Sequence, residues 1–250
     1  MNDVSFKLLI DYLFKLKKRI LVEKYKLFLK LVKSNVRRIK DDLGKTIDEA
    51  DNLAKMIMIE QAIDAAYEIE EPISRSYAFC DCIIAISEFA RETNSYETLE
   101  RTQPLLEQIT NSGATARALS YLAVVLSSLN YEEEAEKALL DAIKYASKIK
   151  EDFDRRDALL EIATSAADMS FLLDKRKLVN LGLQFQDQLT QGQKAYLFGY
   201  LSTVIPSEEG TQLMREAMNI ASQINDPITR SKVSLELATL LTSITKEFEE

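Results

Sequence analysis

Ile69-Glu70-Glu71-Pro72-Ile73-Ser74-Arg75-Ser76 recurs near the far end of the chain as Ile224-Asn225-Asp226-Pro227-Ile228-Thr229-Arg230-Ser231. Two copies of one octet mark an internal repeat, and a repeat decides architecture before any local reading does. Within the second copy, Asp226 is placed to cap the unpaired N–H groups of a new helix, and Pro227 suits a first turn where no N–H is needed. Glu71-Pro72 plays the same part with a weaker cap. The octet therefore reads as a corner between two helices. Acid and Arg stand four apart in Glu71 and Arg75, Glu151 and Arg155, and Asp226 and Arg230, a spacing that permits a local ion pair.

Working outward, the residues equivalent to Arg75 are Thr115, Arg155, Lys194 and Arg230, spaced 40, 40, 39 and 36 residues apart. Such a period belongs to stacked helical hairpins. Six residues before each anchor stand Ile69, Ile109, Ile149, Gln188 and Ile224; seven after stand Cys82, Leu122, Ile162, Leu201 and Leu237. These are expected core positions. With only six Gly and four Pro, and with β-branched residues scattered, the turn signals of a sheet protein are missing, so the chain reads as all-α.

Upstream of the repeat, residues 1–40 carry twelve Lys and Arg against three Asp and Glu, a net +9 that leaves −17 on the rest of a chain whose total is −8. From Val4 to Leu43 there is neither Gly nor Pro, and apolar residues fall on two helical stripes, so a long helix or a helical pair is expected there. Gly44 is the expected stop, and Thr46 with Glu49 the capping box of the next helix. The domains are accordingly placed at 1–44, a basic amphipathic segment, and 45–250, the repeat region of about five hairpins. The basic patch Lys15, Lys17, Lys18, Arg19, Arg37, Arg38 and Lys40 fits three roles: packing on the repeats, pairing with a second copy, or contact with an anionic membrane or nucleic acid.

The chain has no His, which removes triad hydrolases and His-based metal sites. Cys80 and Cys82 lie too close on a helix to bridge and lack the partners of a metal site; one is expected in the core and the other facing the binding surface. Free thiols without a disulfide framework point to a reducing compartment, the cytoplasm. No apolar run is long enough to span a membrane, and no signal peptide is expected, since the first residues lack its uninterrupted apolar core and small-residue cleavage site. The acidic run Glu132-Glu133-Glu134 reads as a solvated helix start, where carboxylates favour the positive end of the dipole. No Gly-rich phosphate loop or catalytic constellation is found, so neither an enzyme nor a cofactor is expected.

Leu119, Leu122, Ala123, Leu126, Tyr131, Ala135, Leu139 and Ala142 stand at the spacings of a tetratricopeptide repeat, which that window resembles. Leu159, Ile162, Ala163, Ala166, Phe171, Val179 and Gly182 repeat the pattern, with Lys175 where the family has a small residue, and the likeness covers roughly residues 60–245. The closing Pro is missing and the period exceeds the family's ~34 residues. The resemblance implies a right-handed α-solenoid of antiparallel hairpins serving as a protein-binding scaffold. It places the concave groove on the first helix of each pair: Tyr77, Cys80 and Ile84; Arg117, Ser120 and Val124; Asp157, Leu160 and Thr164; Tyr196 and Thr203; Lys232, Leu235 and Thr239. Hydroxyls and small apolar groups with few charges make up this lining, and the convergent Lys, Arg and Asn of a carboxylate clamp are absent from it. The expected partner is a protein or peptide segment, with Tyr77, Arg117, Leu160, Tyr196 and Lys232 as its main contacts.

Overall fold

The structure, a computed structural model, describes the backbone of residues 36–205 and 208–247 and the side chains of 50–205 and 208–242. Among these, every regular element is helical: α1 Val36–Glu68, α2 Pro72–Thr93, α3 Tyr96–Glu100, α4 Thr102–Gln108, α5 Ser112–Ser128, α6 Glu132–Ala146, α7 Asp152–Leu173, α8 Lys177–Leu183, a 3-10 turn Gln186–Gln188, α9 Gln191–Val204, α10 Glu208–Ser222 and α11 Pro227–Glu247. None of the described helices is long and apolar enough to cross a membrane. The chain divides into two compact units, residues 1–58 and residues 59–250.

Gly44 does not stop a helix. α1 runs from Val36 through Gly44 and Thr46 to Glu68, so the expected cap and capping box at that point are not formed. One interior glycine costs only about 1 kcal/mol relative to alanine, and the helix formers on both sides of it outweigh that. The break comes instead at the first octet. There α2 opens with Pro72 at its first turn, and the Glu71 carboxylate accepts the N–H groups of Ile73 and Ser74. At the second copy, Asp226 accepts from the Thr229 N–H at 2.7 Å and from the Thr229 hydroxyl at 2.6 Å. Both carboxyls are held below their ordinary range by hydrogen bonds, Glu71 first by the Ser74 side chain and then by the Ser74 and Ile73 N–H groups, Asp226 by the Thr229 hydroxyl and N–H.

The ion pairs expected four residues apart do not form. Arg155 pairs with Asp152, and its Nη1 donates to the Ile149 carbonyl at 3.3 Å; Arg230 Nη1 donates to the Ile224 carbonyl at 2.9 Å. The reason is local. Two of the acids already serve backbone N–H groups, whereas the carbonyls at the end of the preceding helix lack a helical partner. Arg155 and Arg230 thus tie the connection that follows one helix to the first turn of the next, through the Ile six residues before each. Arg155→Met is expected to lower the unfolding free energy by about 1 kcal/mol. Glu151→Gln is expected to stay within about 0.5 kcal/mol of the parent in urea titrations; equal losses would restore the ion-pair account.

Helix ends show a second regularity. Asn94, Asn130 and Asp174 have φ of 50°, 65° and 51°, just past the ends of α2, α5 and α7. The next residue closes each end: Ser95 N–H donates to Ala90, Tyr131 to Leu126 and Lys175 to Ser170, at 2.9 to 3.0 Å. This is the left-handed closure usually given to glycine, carried by short polar side chains that tolerate the same conformation. The second helix of the first hairpin is divided into α3 and α4. Pro104 accounts for it, since its ring would clash with the carbonyl four residues earlier, at Glu100, and it has no N–H to donate there.

Within residues 59–250, α2, α5, α7, α9 and α11 pack in sequence, each on the next, while α4, α6, α8 and α10 lie back against α2, α5, α7 and α9. Alanines allow the close approach: Ala116, Ala123, Ala135, Ala142, Ala163, Ala166, Ala195 and Ala217 are all fully buried. Between them sit Leu139, Ile162, Leu197 and Leu201, at most 1% exposed, and each such side chain contributes about 1.5–3 kcal/mol by burial.

Candidate functional site

Three successive helices, α2, α5 and α7, turn one face each toward a cavity of about 360 Å³. Its lining includes Ile84 and Arg91 from α2, Arg117, Ser120, Tyr121 and Val124 from α5, and Glu161, Thr164, Ser165 and Asp168 from α7. Five of the residues expected to bind a partner are thereby brought together: Ile84, Arg117, Ser120, Val124 and Thr164. Helical spacing explains why. Arg117, Ser120 and Val124 recur at three and four residues on α5, so they share one side, as do Glu161, Thr164 and Asp168 on α7.

The lining is more charged than the sequence reading held. Arg117 lies 3.9 Å from Asp81 and 3.6 Å from Glu161, bridging α2 and α7 across α5. Arg91 is held by Glu88 one turn away. Asp168, half-buried, accepts the Tyr200 hydroxyl of α9 at 2.6 Å. Burial pushes the Asp168 carboxyl up, and the Tyr200 bond only partly offsets this; Glu161 is also pushed up by burial, against the opposing pull of Arg117. The Tyr200 phenol is pushed well above its usual range by burial and by the same carboxylate, so it holds its proton firmly. Asp81, Glu161 and Asp168 were missed because the family register names one column of residues on each helix, and these three belong to the adjoining one.

Other expected contacts fall around this cavity or beyond it. Tyr77 stands 36% exposed at the start of α2, with its hydroxyl against Gly113 of α5. Asp157 accepts from Gln193 Nε2 of α9 at 2.6 Å, and Leu160 is half-buried beside it on α7. On α9, Tyr196 is half-buried with its ring centroid 6.1 Å from that of Tyr200, and Thr203 returns its hydroxyl to the Tyr200 carbonyl. On α11, Lys232 lies 4.0 Å from Glu236, Leu235 is 70% exposed, and Thr239 donates to the Leu235 carbonyl.

One expected position is corrected, and Ser120, though it lines the cavity, offers it no free hydroxyl. Cys80 does not face the binding surface; it is fully buried between α2 and its neighbours, its thiol pushed up to about 12 chiefly by that burial. Ser120 is 2% exposed and commits its hydroxyl to the Ala116 carbonyl at 2.8 Å. Both lie near the α2–α5 seam, which small side chains allow to close. Of the basic patch, Lys15, Lys17, Lys18 and Arg19 lie outside the described residues, and Arg37, Arg38 and Lys40 are described only as backbone of α1.

A second cavity, of about 550 Å³, lies over α6, where Lys175 bridges Glu132 and Glu136 and Lys177 also meets Glu136, so its charges are matched. A third, of about 600 Å³ between α10 and α11, is lined by apolar residues such as Met218, Leu237 and Leu241 together with Arg230 and three serines, and has no carboxylate. The α2–α5–α7 cavity differs from both in combining apolar floor, hydroxyls and incompletely paired carboxylates. Such a surface is suited to holding a side chain of another molecule by contact, hydrogen bond and charge. No family model matches the chain, and no curated protein or solved structure matches it significantly.

Proposed function

We propose that the protein is a non-catalytic scaffold whose repeat region is a right-handed, tetratricopeptide-like solenoid, and that a segment of a partner protein lies along its α2–α5–α7–α9–α11 face. The observation that carries this reading is the cavity between α2, α5 and α7, where first helices of consecutive hairpins contribute equivalent positions. Supporting it are the consecutive packing of these helices, the repeated Arg corner and the repeated left-handed closure. Aromatic side chains flank the cavity at Tyr77 and Tyr196, the residue class that most often anchors interfaces.

The test is capture of partners from the source cell by the full chain and by a Tyr77→Ala, Tyr196→Ala double variant. Neither ring is fully buried, so the fold is expected to persist, as circular dichroism will show. Loss of two aromatic contacts is expected to weaken capture about tenfold or more. Unchanged capture of the same partners overturns the assignment of this face. Binding that instead follows salt concentration, on anionic vesicles or nucleic acid, and ignores the two tyrosines would favour the second reading, which rests on the +9 charge of residues 1–40.

A further inference from the structure

We propose that the partner segment, on the scaffold reading above, presents an Arg or Lys whose cationic head sits against Asp168. The cations already in the cavity wall are committed elsewhere: Arg117 is divided between Asp81 and Glu161, and Arg91 is held by Glu88. Asp168 has the Tyr200 hydroxyl at 2.6 Å, and none of the described ion pairs includes it. A half-buried carboxylate without a cation is an electrostatic deficit inside a cavity, and a neutral or acidic segment covering it would deepen the desolvation without relief. A guanidinium or ammonium relieves it. Glu161, on the same face of α7 but about 10.5 Å along the axis and already paired with Arg117, is out of reach of that head and adds only attraction at a distance. Ile84 and Val124 supply the apolar wall along which the methylene stem of a long basic side chain packs. Asp157, one turn before Glu161, adds charge of the same sign.

The experiment pans a random-peptide display library on the full chain, then measures selected synthetic peptides on variants. Asp168→Asn keeps the shape and still accepts from Tyr200, so only the charge is removed. Peptides enriched in Arg or Lys, binding Asp168→Asn about tenfold or more weakly and weakened alike when their Arg is replaced by citrulline, support the proposal. The citrulline measurement, made on the parent protein, stands whether or not the Asn variant folds. Peptides without basic enrichment, sensitive to the Tyr77→Ala, Tyr196→Ala pair but indifferent to Asp168→Asn, overturn the cation while leaving the scaffold face intact. Peptides indifferent to all of these variants, or no selected peptides at all, overturn both.

Discussion

Gly182→Val is expected to lower the stability of the fold by about 3 kcal/mol. Gly182 sits in α8 where that helix crosses α7, and a Cβ there would stand 2.9 Å from the Ala163 carbonyl oxygen and 3.5 Å from Ala163 Cα. Both obstacles are backbone in the middle of a helix, and Ala163 is itself fully buried, so neither yields by a rotamer change. Valine adds two more carbons and a stiff χ1 to that clash, and the relief open to the protein is to move α8 away from α7. Buried contacts of Leu178 and Val179, 4% exposed each, would be lost with it. Gly182→Ala makes the graded control: its gain in helix propensity of about 1 kcal/mol opposes a smaller clash. Urea unfolding of the three proteins checks the order. A valine variant as stable as the parent would mean that α8 is held against α7 by something other than this crossing.

Ala163 and Gly182 both stand among the positions that carry the tetratricopeptide likeness, but that the two meet where α8 crosses α7 is seen only from the distance between them. The octet was legible, since an acid, a Pro and a hydroxyl at fixed offsets have one common use at a helix start. Its Arg was misread. A four-residue spacing names the pairs that are able to meet, but not the competing carbonyl of Ile149 or Ile224, which becomes available only when two helices turn on each other. The expected stop at Gly44 failed for a related reason: a single glycine is a weak signal when the residues around it favour helix. Conversely the closures at Asn94, Asn130 and Asp174 went unseen because glycine was taken as the mark of a helix end. The lining of the α2–α5–α7 cavity was half legible. Spacing located Ile84, Arg117, Ser120, Val124 and Thr164, yet the acidic column of Asp81, Glu161 and Asp168 acquires its meaning only from distances across helices and from burial.

Ile162→Ala is expected to cost about 2–5 kcal/mol, as truncation of a fully buried aliphatic side chain does, and to divide the molecule as well as weaken it. Ile162 lies seven residues past the third anchor, in α7. The main contacts between α2–α6 and α9–α11 all pass through α7 and the α8 segment behind it. In a compact globular domain a core truncation lowers the midpoint of unfolding and leaves the slope alone, because the whole still unfolds at once. In a stack whose stability is a sum over neighbouring units, weakening the central unit uncouples the flanks, and the unfolding transition broadens or splits. The urea slope is therefore expected to fall along with the midpoint, and amide exchange is expected to quicken in α7 and α8 before α5 or α9. A lower midpoint with the parent slope and uniform exchange would assign these helices to a single cooperative core and remove the solenoid from the proposal, together with the extended binding face that depends on it.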